Sequence, residues 1–165
     1  MIKEVDIMGK FAKYKNKVYP VFIRNGKYRL KSIAREPGFK ELVDLTGKVH
    51  QDIYVKEVDL EDLELIYERK YRIIYQGREY KPFAIGELVI ENFKISLFSS
   101  DYLDYEKNGF IKKEQFVFMK EVSINEIDRL VLIKTPIDKF KELPEEKIII
   151  PSNDILEYYE KFINN

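Results

Sequence analysis

Slid against itself at an offset of 61, the chain lays Tyr14-Lys15-Asn16-Lys17-Val18-Tyr19-Pro20-Val21-Phe22 over Tyr75-Gln76-Gly77-Arg78-Glu79-Tyr80-Lys81-Pro82-Phe83, matching Tyr, a basic residue, Tyr and Phe at equal spacing. At an offset of 64, residues 56–64 lie over 120–128, and both stretches begin Lys-Glu-Val. Between these blocks Gly26 falls against Gly86 and Gly47 against Gly109. A retained order of hairpin, glycine, glycine and Lys-Glu-Val constrains the fold more than any single motif, because each copy has to build a small unit from the same parts. The expectation is a tandem: a first β-rich module over 1–69, a second over 70–135, then a linker and C-terminal amphipathic helix over 136–165.

Each module reads mostly as strand. Val18–Arg24 is rich in aromatic and β-branched residues and runs into Asn25-Gly26, the strongest short hairpin signal, since type I′ turns need two positive φ values. Lys27–Ile33 is the return strand, Glu36-Pro37-Gly38 and Thr46-Gly47 mark loops, and His50–Val58 resumes an extended pattern. The second module repeats this with Tyr71–Tyr75, a turn at Gln76-Gly77, then Glu79–Ala84, Glu87–Ile90, Lys94–Phe98 and Gln115–Val122. Asp59-x-x-Asp62 and Ser123-x-x-Glu126 each place a capping side chain ahead of a short helical turn. The fold expected is mainly β, two small five-stranded barrel-like modules with one helical turn each. The alternative is α+β, with Leu60, Leu63 and Tyr67 on one face of a longer helix. Ser152-Asn153-Asp154 then cap a helix carrying Ile155, Leu156, Tyr158, Tyr159 and Phe162.

Composition narrows the function classes. A chain of 165 residues with 45% hydrophobic residues buries about 70% of its unfolded surface and folds without a metal or disulfide. It has no Cys, which excludes a disulfide framework, a thiolate nucleophile and thiolate metal sites. No apolar run is long enough for a signal peptide or a bilayer span, so the expected setting is soluble and cytoplasmic, with no membrane partner. Glycines never fall into a phosphate-binding pattern. His50 is the only imidazole, too few for a typical zinc site, and its expected place is a strand start beside solvent or a loop. With no nucleophile elbow either, no catalytic residue, cofactor or metal is assigned.

The net charge is zero, but unevenly distributed. Residues 1–35 carry ten Lys and Arg against Glu4 and Asp6, whereas residues 52–68 carry seven acids against Lys56. Two candidate sites follow. Ser99-Ser100-Asp101-Tyr102-Leu103-Asp104-Tyr105-Glu106 concentrates acids and tyrosines in an expected loop that has no equivalent in the first module, where Arg35-Glu36-Pro37-Gly38-Phe39-Lys40 stands. Asp101, Tyr102, Asp104, Tyr105 and Glu106 form a candidate protein-binding site, because tyrosines give large contact area at low entropic cost and the acids suit a basic partner surface. Lys13, Lys15, Lys17, Arg24, Lys27 and Arg29 alternate with Phe11, Tyr14, Tyr19, Phe22 and Tyr28, the mixture that follows a phosphate backbone and stacks bases, and form the alternative, nucleic-acid site. That reading requires the aromatics and the cations to share a face.

The tandem Tyr-x4-Tyr, glycine and Lys-Glu-Val modules in a Cys-free, Lys/Ile/Tyr-rich chain resemble small uncharacterised proteins of low-GC bacteria, some of them similar to immunity proteins of toxin systems. The resemblance implies a binding role and transfers no functional residue. The expected function is a non-enzymatic protein-binding module of the inhibitor or immunity type. It would cover a basic surface of its target with 101–106 and the acidic strip 57–64.

Overall fold

A computed structural model describes residues 9–82 and 90–163. Strands dominate, and the chain divides into two compact units, one of Lys10–Glu68 with Thr135–Pro144, the other containing Arg69–Lys134 and Glu145–Asn165. The expected strand residues 83–84 and 87–89, with them the Phe83 match, and the Gly86 equivalence lie outside the described residues.

The first unit is built from β1 (Gly9–Tyr14), β2 (Lys17–Arg24), β3 (Lys27–Ser32), β4 (Lys40–Val43) and β5 (Val49–Val58), followed by a 3₁₀ turn at Leu60–Asp62 and the start of β6 (Leu65–Tyr75). Its strand order is β1-β2-β3-β5-β4, with each neighbouring pair antiparallel. Lys15-Asn16 and Asn25-Gly26 both hold positive φ at successive residues, the twist that a two-residue hairpin needs. Ala12, Tyr14, Tyr19, Val21, Leu30, Val58, Leu63 and Ile66 form its core. The helix of the α+β alternative is not formed. Only Leu60–Asp62 turns, and from Leu65 the aromatic and β-branched run Ile66-Tyr67 is extended and buried in β6.

The second unit continues from β6 through β7 (Arg78–Pro82), β8 (Ile90–Glu91), β9 (Lys94–Ser99), helix α1 (Tyr102–Lys107), β10 (Ile111–Glu114), β11 (Val117–Ser123), a 3₁₀ turn at Ile124–Glu126 and β12 (Arg129–Pro136). Its order is β6-β7-β9-β11-β10, with β8 on β9. Position by position this is the order of the first unit. Small shared bonds follow the same plan: the Glu64 amide donates to the Lys13 carbonyl as the Asp128 amide does to that of Ile74. The Glu64 carboxylate accepts from the Asn16 amide as Asp128 does from Gly77. The sheet is mainly antiparallel β and open: closure into barrels is not found among the described pairings.

The stretch after Pro136 is more than a linker. A 3₁₀ turn at Asp138–Phe140 belongs to the first unit, and Ile137 and Phe140 pack on that core. In the second unit β13 (Glu146–Pro151) pairs with β12, and a 3₁₀ turn leads into α2 (Ile155–Ile163). Ile155 and Tyr159 of α2 are fully buried in a core with Tyr71, Ile95, Leu97 and Leu130. The hydroxyls of Tyr71 and Tyr158 lie 2.6 Å apart, and burial pushes the Tyr71 phenol well above its usual range.

Candidate functional site

Within the segment from Ser99 to Glu106, expected as a loop, Ser99 ends β9 and the short helix α1 begins at Tyr102. Asp101 caps it by accepting from the Leu103 amide at 2.9 Å, and the Ser99 hydroxyl accepts from the Asp101 amide at 3.0 Å. At its far end the amides of Asn108 and Phe110 both donate to the Asp104 carbonyl. This requires Gly109 at φ +79, a value that a glycine adopts without strain. A cap, a terminating glycine and two good capping partners thus fold six residues that are too short to be helical alone.

Asp104, expected to face a partner, is turned inward and is 2% exposed. Its carboxylate accepts from Ser99 Oγ (2.5 Å), Asn108 Nδ2 (2.7 Å), the Tyr80 hydroxyl (3.0 Å) and Arg78 Nη1 (3.2 Å). Burial alone would raise its pKa, but the bonds from Ser99, Asn108 and Tyr80 and the Arg78 charge outweigh it and hold the carboxyl below the usual range. Burial and the same carboxylate raise the Tyr80 phenol. Arg78, Tyr80, Phe98, Ser99 and Asp101 line an open cleft of about 480 Å³ beside it. A carboxylate so ringed by donors is a weak base, and its role is to fix α1 on the sheet.

The first unit repeats this cluster with a longer acid on a different backbone. Glu36 accepts from Lys17 Nζ (2.8 Å), the Tyr19 hydroxyl (3.0 Å) and Ser32 Oγ (3.0 Å), matching Arg78, Tyr80 and Ser99 in strand position. The ring below is repeated too, Tyr19 against Phe39 and Tyr80 against Phe110, both with centroids at 5.3 Å. Gly38-Phe39 therefore answers to Gly109-Phe110. This corrects the Gly47 pairing read from the sequence: Gly38 and Gly109, at φ +83 and +79, each sit beside a lysine amine, of Lys56 and Lys120 respectively.

What α1 offers outward is aromatic. Tyr105 stacks on the buried ring of Phe118 (5.4 Å, 15°), and Tyr102 meets Phe118 edge-on at 6.1 Å and Tyr105 at 5.6 Å. Both rings remain exposed, at 55% and 41%. Asp101 and Glu106 are exposed beside them. Sequence reasoning missed Phe116, which is 64% exposed at the tip of the β10–β11 hairpin, two residues from Phe118 and at φ +62. An aromatic in a two-residue turn where Gly or Asn is usual was the available signal. The acidic strip 57–64 belongs to the first unit, where Glu57 pairs with Lys27 and Glu64 with Lys13.

The six cations of the alternative site divide. Lys13, Lys17 and Lys27 are paired with Glu64, Glu36 and Glu57, and Lys15 lies over the Tyr14 ring at 5.3 Å. Arg24 and Arg29 are exposed. Phe11, Tyr14 and Tyr19 are buried and Tyr28 is half-buried, so among these aromatics only Phe22 shares the open face with cations. His50, in β5, meets the Asp44 carboxylate at 3.0 Å, while the Thr46 hydroxyl donates to Asp44 and not to the imidazole. That arrangement ties a loop and lowers the Asp44 pKa, first through Thr46 and then His50. It does not assemble a nucleophile and base. Among the described residues no group of three or more His, Asp and Glu is placed to hold a metal, and no helix is long and apolar enough to cross a membrane. Comparison with protein-family models, curated proteins and solved structures yields no match.

Proposed function

We propose that the chain is a cytoplasmic, non-enzymatic protein-binding module of the inhibitor or immunity type, which meets its partner with α1 of the second unit. The observation that carries this is the pair Tyr102 and Tyr105, held in place on Phe118 yet still open to solvent. Rings fixed before binding lose little freedom on contact, which is how a few aromatics dominate an interface. Asp101 and Glu106 at the margin favour a partner with basic residues around an apolar centre. Phe116, in the turn just before β11, is a further exposed aromatic of the same unit. We also infer that the two units are copies of one duplicated module. Support comes from the common strand order and from the repeated cluster of base, Tyr, Ser and acid. On that view α1, present in one copy alone, is the part free to specialise.

The test is affinity capture from host lysate with the intact chain and with Tyr102→Ala and Glu106→Lys, each checked by thermal melting. A partner captured by the parent and lost at least tenfold by both variants, with their melting temperatures unchanged, supports the reading. Equal capture by all three rejects α1 as the contact.

A further inference from the structure

Subtracting what the two units share leaves a second surface, on the first unit. Strand alternation and the β2–β3 register place Phe22 opposite Arg29 and Arg24 opposite Lys27 on the outward face, with Val21 and Leu30 turned into the core. On the next strands Arg29 stands opposite Glu57, and Lys31 and Lys40 both stand opposite Val55. Among the described residues at these strand positions, one sheet face thus presents Arg24, Lys27, Arg29, Lys31 and Lys40 together with the acid Glu57. The acid is already engaged, with Lys27 at 3.6 Å.

The second unit shows which of these charges belong to the fold. Lys94 and Glu121, at the positions of Lys27 and Glu57, form the same pair at the same 3.6 Å. Where the first unit has Arg29 and Lys31, counted back from Ser32, the second has Ser96 and Phe98, counted back from Ser99. In sequence Arg24 and Lys40 fall on Ile85 and Ile111, so the Lys27–Glu57 pair is common framework, and Arg24, Arg29, Lys31 and Lys40 are an addition peculiar to one unit. Among the described residues neither Arg24 nor Arg29 has a carboxylate within ion-pair reach. In their midst Phe22 is 52% exposed, with the Lys31 amine 5.8 Å from its ring centre. An open ring costs solvation, and it has no counterpart in an acid-binding surface built from charge alone.

We propose that this β2–β3 face binds single-stranded nucleic acid, Phe22 stacking on a base while Arg24, Arg29, Lys31 and Lys40 follow the phosphates. Cations spaced along neighbouring strands around an exposed aromatic are what a sequence-tolerant single-strand site needs: charge for the backbone and a flat face for any base. An acidic polypeptide would satisfy the arginines but leave Phe22 without a role. The proposal does not depend on α1.

The experiment is fluorescence anisotropy of the full chain with a labelled oligothymidylate, and separately with labelled polyglutamate. Four phosphate contacts predict that binding to the oligonucleotide weakens on the order of 50-fold between 50 and 200 mM salt. Arg24→Gln combined with Arg29→Gln should weaken binding at least tenfold and roughly halve the salt slope. Phe22→Ala should weaken it about tenfold with the slope unchanged. Lys112→Gln, on the second unit, should change nothing. All the substituted side chains are exposed, so melting curves should coincide with the parent. No binding at 50 mM salt, polyglutamate bound as well as the oligonucleotide, or Phe22→Ala binding like the parent would each overturn the proposal. Failure of the α1 variants to lose a protein partner would leave it untouched.

Discussion

The two units hold the segment that follows β3 and β9 with matching donors, a base, a tyrosine and a serine, and with opposite degrees of burial. In the first, Glu36 reaches back from an irregular loop to Lys17, Tyr19 and Ser32, and its side chain keeps 17% of its surface in water. In the second, the shorter Asp104 has been carried in on a helix and keeps only 3%, with Asn108 added as a donor. The lesson is that the donor set is fixed by the sheet, which places base, tyrosine and serine on adjacent strands, whereas the acid can arrive on any backbone that reaches them. Burial then decides how much of the unit depends on it.

The largest expected effect follows from that difference. Asp104→Ala strips from the Tyr80 and Ser99 hydroxyls the carboxylate to which they donate, and should cost about 3 kcal/mol, the scale of breaking a buried charged network. Glu36→Ala leaves donors that water can reach and should cost about 1 kcal/mol. Urea midpoints at constant slope measure both, and equal losses would break the comparison.

Next in size are the pH arms. The Glu36 carboxyl is lowered first by the Lys17 bond, against burial, and the Asp104 carboxyl is lowered by its donors despite burial. Groups whose folded pKa is depressed contribute stability that is full above the unfolded carboxyl value near 4, and that disappears as pH falls through the folded values. Tyr19 behaves oppositely: burial, then Glu36, push its phenol from 10.0 up to about 12. Its contribution is full below pH 10 and is lost as pH rises towards 12. Tyr19→Phe should therefore flatten the alkaline fall in melting temperature for the first unit, while Asp104→Asn flattens the acid fall for the second. A Tyr19→Phe chain that still loses stability as steeply between pH 10 and 12 would assign that arm elsewhere, Tyr80 being the first place to look.

Strands and hairpins were legible in the sequence because their signals are local. Asn25-Gly26 and Gln76-Gly77 state their own turns, and alternation marks β2, β3 and β9. The Gly38–Gly109 equivalence was not legible, since the spacing between matched residues changes with every loop. It is 61 at Tyr19 and Tyr80, 67 at Ser32 and Ser99, 71 at Gly38 and Gly109, and 64 again at Lys56 and Lys120. No single sliding offset can find it. The inward turn of Asp104 was hidden for a related reason: its donors come from β7, β9 and the helix end, and only the folded sheet brings them to one point. Tyr102 and Tyr105 were legible as residue types worth notice, but their support by Phe118 is a contact across strands. Strand β13 was obscured by its flanking prolines, which the pairing with β12 tolerates at the ends.

The smallest effect tests whether the units differ in their lysines as they do in their acids. Lys56 and Lys120 lie over Tyr14 and Tyr75 with the amine 5.1 Å from each ring centre, so the cation–π contact is the same in both. Lys120 additionally donates to the Asn108 carbonyl at 2.9 Å, closing the end of α1. Replacing each by Met keeps the stem and removes the charge, so Lys56→Met should cost about 0.5 kcal/mol and Lys120→Met about 1.5 kcal/mol, the difference being the added bond. A second readout separates charge from packing. Lys56 is the first cause of the lowered Tyr14 pKa, so Lys56→Met should move the Tyr14 titration upward even if stability hardly changes. An unmoved Tyr14 would mean that the amine is not held over the ring in solution. The two lysines would then share a position in the fold without sharing a role.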